Sequence, residues 1–168
     1  MVATHNLKVC TGTNAATESA GDASNWNLMS TDAYDSTGTT YQTNPITVPA
    51  AGTSYSYERW LRVEFTGVFN LITNIKTWKS AGTLSDAALS IKAGVSATGV
   101  TPVVTASSIA TATVPVVVGS ALDLTPSNPI DTSGEKTKYA VLQLNVPSTV
   151  VTPGDIGTQT LTFQYDES

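Results

Sequence analysis

The residues that could perform acid–base or nucleophilic chemistry are few and widely separated. His5 is the only histidine and Cys10 the only cysteine. A Ser–His–Asp triad needs a histidine that packing holds beside a carboxylate, and a histidine so near the start of the sequence is rarely held in that way. Zinc needs several Cys or His ligands, and one cysteine cannot form an intrachain disulfide. The sequence therefore predicts no triad, no zinc site, no such disulfide and no cofactor.

The carboxylates do not suggest a glycosidase or a calcium loop. Glu58 and Glu64 share one predicted strand, and their spacing along it is about 20 Å, too far to act together on one glycosidic bond. We expect each to meet water or a cation such as Arg62. Asp32 and Asp35 lack the alternate-residue spacing of a calcium loop. We predict that the chain is not an enzyme, while an ion held by residues distant in sequence stays open.

Three tryptophans and one arginine are the candidate interface residues. Trp26, Trp60 and Trp78 could form an aromatic platform for a sugar, but large aromatic side chains also fill cores. Trp60 alternates in phase with Arg62, opposite an apolar strand face. Another part of the same chain, a partner subunit or a ligand such as a sugar could cover it, and we prefer them in that order.

Arg59 poses the opposite problem, because it alternates in phase with the apolar residues of the same strand. A buried guanidinium is costly unless hydrogen bonds satisfy it. We therefore expect a buried carboxylate or carbonyl partner for Arg59.

Composition excludes several classes of protein. Only 12% of the 168 residues are charged, the net charge is −5, and Thr and Ser number 28 and 17. A nucleic-acid-binding protein needs a basic stripe, and a membrane helix needs about 20 consecutive apolar residues. Neither is present, so we expect no nucleic-acid and no membrane partner. No basic segment followed by an apolar stretch opens the sequence, so we expect no signal peptide.

The elements that position these residues are predicted to be strands. Residues 57–65 and 69–78 alternate apolar and polar side chains, and 66–68 contain a glycine suited to a turn, which predicts a hairpin. On the second strand the alternation places Phe69, Leu71 and Ile75 on one face. Further predicted strands are 7–11, 26–29, 46–48, 89–95, 114–118, 139–146 and 158–165.

These strands predict one all-β domain over residues 1–168, an antiparallel, jelly-roll-like β-sandwich with long loops or an N-terminal arm. The small polar residues 13–24 are the predicted loop or arm, with little to add to a core. Residues 84–90 and 106–111 could each make one helical turn. Residues 101–125 could hold two strands or an extended arm.

Two stretches resemble small structural proteins of tailed-bacteriophage particles. Residues 57–78, YERWLRVEFTGVFNLITNIKTW, look like a strand pair of such proteins, and 157–168, GTQTLTFQYDES, are similar to their closing strand. The Thr/Ser/Ala/Val-rich, cysteine-poor style is also similar. The resemblance carries no catalytic residues.

The resemblance implies a virion component assembled in the host cytoplasm. The first expectation is a capsid decoration (cement) protein that binds across capsid subunits, with the major capsid protein or other virion proteins as partners. A homo-oligomer, with a trimer favoured, suits that role. A tail or baseplate component, or a carbohydrate- or receptor-binding sandwich, is the alternative.

Overall fold

The computed structural model describes residues 2–23, 26–34, 39–152 and 154–168. The predicted turn at 35–38, with Asp35, and the ends of two other predicted features, Ser24 and Pro153, lie outside that part. The strands are β1 (Thr4–Thr11), β2 (Thr17–Glu18), β3 (Thr53–Tyr55), β4 (Arg59–Thr66), β5 (Ile72–Ala81), β6 (Ser90–Ser96), β7 (Ala112–Thr113), β8 (Leu122–Asp123), β9 (Tyr139–Pro147) and β10 (Thr160–Glu167). One short α-helix, α1 (Thr40–Thr43), and 3₁₀ turns at Thr13–Ala15 and Val118–Ser120 complete the elements.

The strands form two antiparallel sheets that pack against each other, so the predicted all-β sandwich is confirmed. The large sheet has the order β2-β1-β4-β9-β6-β7, and β3 also pairs with β9. The small sheet has the order β10-β5-β8. This strand order does not establish the predicted jelly-roll connectivity.

The main core lies between the two sheets. Strand β4 contributes Leu61, Val63 and Phe65, as its alternation predicts, and β9 contributes Leu142 and Leu144 among others. Leu and Val side chains that leave water on folding each contribute about 1.5–3 kcal/mol. The apolar face of β4 therefore holds the large sheet against the small one.

The predicted hairpin of β4 with β5 is wrong. Strand β4 pairs with β1 on one side and β9 on the other, while β5 pairs with β10 and β8 in the other sheet. Because both edges of β4 are occupied, β5 has no edge left to join there. The chain after Gly67 crosses between the sheets, and Phe69 packs edge-to-face on Phe65 with their ring centroids 6.5 Å apart.

The predicted faces of β5 are also partly wrong, because the strand carries a bulge at Asn74. Its register against β10 shifts there, and Asn74 has φ +51°. An extra residue in one strand turns every later side chain to the opposite face. Ile72 and Ile75 are therefore both buried in the main core, although strict alternation separates them.

The remaining differences concern short segments. Residues 26–29, 46–48 and 114–118 are not strands, and 84–90 and 106–111 contain no helix. Within 101–125 the chain makes two strands of two residues each, β7 and β8.

The polar segment after β1 folds back on its own chain. Ala15 and Ala23 are fully buried, so the expectation that this segment adds little to a core is wrong. Ser19 fixes it to β1, because its N–H donates to the Val9 oxygen at 2.9 Å and its hydroxyl accepts from the Val9 N–H at 3.0 Å.

Candidate functional site

Trp60 is fully buried beneath its own chain. It lies on the outer face of the large sheet, where residues 97–111, which we call the cover segment, cross that face. Its indole packs edge-to-face on Tyr139 with the ring centroids 5.3 Å apart. Its cluster also contains Cys10, Ala15, Ala110 and Val141. Of the three alternatives, another part of the same chain covers Trp60. Because its indole is fully buried, Trp60 cannot serve as a platform for a sugar.

Two buried polar side chains fasten the cover segment to the sheet. The Glu58 carboxylate accepts from the Trp60 indole N–H at 2.9 Å and from the Val103 N–H at 3.3 Å. The Gln143 amide donates to the Thr105 oxygen at 2.8 Å and accepts from the Ser107 N–H at 2.9 Å. Buried polar groups with every partner in place specify one arrangement of the backbone. Glu58 therefore acts as a structural acceptor here.

Two glycines permit the close approach of this segment. A Cβ at Gly94 would lie 2.0 Å from the Ile109 oxygen, and one at Gly99 would lie 2.0 Å from the Asn14 oxygen. Both neighbours are backbone atoms, which cannot move aside as a flexible side chain could. The seating of the cover segment therefore depends on the absence of a side chain at these positions.

Arg62 belongs to a network of charges on the same outer face. It pairs with Glu18, and its guanidinium lies 4.7 Å from the centre of the Tyr139 ring. Lys136 bridges Glu18 at 2.8 Å and Glu64 at 3.6 Å. The ion-pair network consists of Lys8, Glu18, Arg62, Glu64 and Lys136. The expectation of a cation partner is confirmed for Glu64, which pairs with Lys8 and Lys136, whereas Glu58 accepts from the two N–H donors described above.

The network shifts the acidity of Glu18 and Cys10 in opposite directions. Burial acts to raise the pKa of the Glu18 carboxyl, but hydrogen bonds from Lys136 and Arg62 outweigh it, so that pKa lies below its ordinary value. Burial raises the pKa of the Cys10 thiol to about 11. Cys10 is therefore a protonated core residue, and not a nucleophile, at neutral pH.

Arg59 has the buried partners that its position predicts. Its guanidinium donates to the backbone oxygens of Asn27 (2.9 Å), Thr31 (3.1 Å), Asp32 (3.1 Å) and Ala33 (3.3 Å). Burial lowers its pKa to about 10, so it keeps its charge at neutral pH. Arg59 thus holds the loop of residues 27–33 against the start of β4. These bonds occupy its guanidinium, which is therefore not free to bind a ligand.

The other two tryptophans remain half-exposed. Trp26 packs against the rim of the main core, and Trp78 lies on β5 opposite Thr162 of β10. The structure does not bring either one to Trp60, so the three do not form one platform. His5 lies at an exposed position with its Nδ1 3.3 Å from the Tyr165 hydroxyl.

Three consecutive exposed valines lie beside β5. Val116, Val117 and Val118 have exposed fractions of 58%, 57% and 45%, and we call them the valine ridge. The N–H of Lys79 donates to the Pro115 oxygen at 2.8 Å and fixes the start of the ridge to the small sheet. The sequence signal is the Val-Val-Val run itself, which lies within the predicted strand 114–118 that the structure does not form.

An open groove of about 440 Å³ lies beside β3, between Ile46, Tyr55 and Val104. Its lining holds hydroxyl groups but no charged residue. Within the described ranges, no group of three or more His, Cys, Asp and Glu residues is placed to hold a metal ion. No described helix has the length and apolar character needed to span a bilayer.

No protein-family model, no curated protein and no solved structure matches the chain.

Proposed function

We propose that this chain is a non-enzymatic structural component of a virus particle, a capsid decoration protein of the tailed-phage type. In this proposal the rigid sandwich binds across adjacent subunits of the major capsid protein and resists their separation. The resemblance of residues 57–78 and 157–168 to phage structural proteins supports the proposal from the sequence side.

The observation that carries the proposal is the valine ridge. Large apolar side chains scattered singly on a surface are ordinary, whereas a contiguous exposed group marks a contact with another macromolecule. The ridge is three residues long and is anchored to β5 through Pro115. It offers a preformed apolar surface that loses little side-chain entropy on binding, because valine has one stiff torsion.

The arrangement of charge agrees with a protein-covered surface. Five of the charged side chains are tied to one another in the ion-pair network, and Arg59 is buried. Charged residues are depleted at the centres of protein–protein interfaces. A chain in which only 12% of the residues are charged, and which exposes these valines, favours binding to protein over binding to nucleic acid.

The experiment is co-sedimentation with empty shells of the major capsid protein encoded by the same genome. We expect the chain to pellet with the shells, and the triple variant V116T/V117T/V118T to bind at least about tenfold more weakly, because threonine keeps the shape but adds hydroxyls that binding would bury. The matched control V2T/V68T/V151T changes three other exposed valines and should bind like the native chain.

Two results would contradict the proposal. One is a chain that stays in the supernatant with every shell preparation. The other is equal loss of binding in the ridge variant and the control. Binding to purified tail or baseplate assemblies, with none to shells, would replace the capsid role with the tail alternative.

A further inference from the structure

Strand β10 is the one long unpaired sheet edge in the described part of the chain. It pairs with β5 on one side, and no described strand pairs with its other side. Other edges of the two sheets are formed by short strands: β2, β7 and β8 have two residues each and β3 has three. Short edge strands prevent edge-to-edge association, and β10, with eight residues, lacks that protection.

The backbone directions along β5 show which groups β10 presents outward. The N–H of Lys79 donates to the Pro115 oxygen, and the Ile75 oxygen accepts from the Leu124 N–H, both at 2.8 Å. The backbone N–H and C=O groups of these odd-numbered residues of β5 therefore point away from β10. The residues between them, such as Trp78, face β10 instead, because backbone direction alternates along a strand.

The same alternation applies on β10. Thr162 and Gln164 are the register partners of Trp78 and Lys76, so their backbone groups face β5. Ser168 and Leu71 exchange two backbone hydrogen bonds at 3.1 and 3.2 Å, which fixes the same parity at the end of the strand. The N–H and C=O groups of the alternate residues consequently point to the free edge: Leu161, Phe163, Tyr165 and, at the end of the strand, Glu167.

Most of this edge lacks the usual protective features. Residues 160–165, TLTFQY, contain no proline, no lysine and no other charge, and the two carboxylates of the strand, Asp166 and Glu167, stand at its end. This strand pair has two register shifts, and in both the extra residue lies on β5, so neither interrupts β10. Natural edges of this length carry such features because an unprotected edge pairs with another strand.

We propose that the β10 edges of two copies of this chain pair antiparallel about a two-fold axis centred on Phe163. Leu161 then lies opposite Tyr165 of the second copy, and Phe163 lies opposite its own counterpart. The three central outward-facing residues of each copy, Leu161, Phe163 and Tyr165, form up to about six backbone hydrogen bonds. The two small sheets become one continuous sheet.

The distribution of charge supports a second copy as the partner. In this register Asp166 lies opposite Thr160 of the other copy and Glu167 lies opposite Gln159, so no carboxylate faces a carboxylate. Like charges directly opposite would be destabilising. The pairing is self-complementary, as a two-fold contact must be. It gives a dimer, whereas the trimer expected from the resemblance needs a contact of another kind.

The test uses the purified chain alone, so its failure is separate from failure of the proposed capsid role. Sedimentation velocity over a range of concentrations should show a monomer of 17.5 kDa in equilibrium with a dimer of twice that mass. In the proposed register, Thr162 of each copy lies opposite Gln164 of the other copy, so this contact occurs twice. The variant T162K/Q164K therefore places like charges opposite and should raise the dimer Kd about tenfold or more.

A charge-paired variant makes the test specific for the register. T162K/Q164E places Lys opposite Glu of the other copy at the same two positions, and should restore much of the dimer. V100K/V104K, on the cover segment of the other sheet, adds two charges elsewhere and should dimerise like the native chain. Circular dichroism of each variant checks that it is folded.

Hydrogen exchange on the native chain gives a readout that needs no variant. The amides of Leu161, Phe163 and Tyr165 should exchange more slowly as concentration rises. A native chain that is monomeric at every concentration overturns the pairing. Dimers that persist in T162K/Q164K, no recovery in folded T162K/Q164E, or exchange independent of concentration would overturn it as well.

Discussion

The indole Nε1 of Trp60 donates to the carboxylate Oε2 of Glu58 at 2.9 Å, two positions earlier on the chain. Both side chains are buried beneath the cover segment. The contact joins the start of β4 to the loop that crosses it, because the same carboxylate oxygen also accepts from the Val103 N–H. The Glu58 carboxylate thus has a structural role, because it fixes Trp60 and the cover segment to each other.

Removing the Glu58 carboxylate should destabilise the folded chain. Glu58→Ala leaves two buried donors without an acceptor and should lower the free energy of unfolding by about 1–3 kcal/mol. Glu58→Gln keeps an amide oxygen that can accept both bonds and should cost less. Urea unfolding of the two variants measures the difference. Equal losses would mean that the acceptor oxygen is not what matters at this position.

A methyl group at Gly94 should displace the cover segment. The added Cβ would meet the Ile109 oxygen at 2.0 Å, and overpacking of this kind costs about 1–3 kcal/mol. In a background that keeps only Trp60, its fluorescence should shift to longer wavelength as water reaches the ring. Gly119→Ala is the control, because nothing lies within 4 Å of a Cβ there. A Gly94→Ala variant that behaves like this control would refute the close approach.

The bulge at Asn74 should accept glycine but reject valine. Its φ of +51° is open to Gly and Asn, whereas a β-branched residue there is strained by about 1–2 kcal/mol. Asn74→Gly and Asn74→Val both remove the 2.6 Å contact of the Asn74 amide with Asp166, so their difference isolates the strain. Thermal unfolding should place the valine variant clearly below the glycine variant, and coincident curves would argue against a bulge at Asn74.

The Cys10 thiol should be inert in the folded protein. Burial raises its pKa to about 11, so little thiolate exists at pH 8, and the ring of Trp60 and the cover segment exclude reagents. A maleimide should label Cys10 only at the rate at which the chain opens, and rapidly in urea. Labelling at the rate of a free thiol in the folded protein would contradict the buried position.

The ion-pair network should make stability depend on pH through Glu18. Because the folded pKa of Glu18 lies below its unfolded value, its contribution is present above about pH 4.5 and is lost as pH falls through the folded pKa. Glu18→Gln should therefore lower stability by about 1 kcal/mol at pH 7. Unfolding curves of the two proteins should converge at low pH. A difference that stays constant down to pH 2 would exclude this cause.

Much of the strand content follows from local pattern. The alternation of Leu61, Val63 and Phe65 sets the face of β4, and the in-phase Arg59 correctly indicated buried oxygen partners, because both depend only on the two-residue period of a strand. The site is less predictable. Whether Trp60 meets solvent depends on residues about 40 positions later in the chain, and no local pattern contains that contact.

The sequence by itself determined that this is an all-β chain with few charged residues, because alternation, β-branching and charge are properties of each short segment. Only the tertiary structure decided that β4 and β5 belong to different sheets, that Asn74 reverses the face of β5, that Trp60 is covered and that Val116 to Val118 are exposed. Each of these features depends on which strand edges and sheet faces other parts of the chain occupy. That is determined only when the whole core packs.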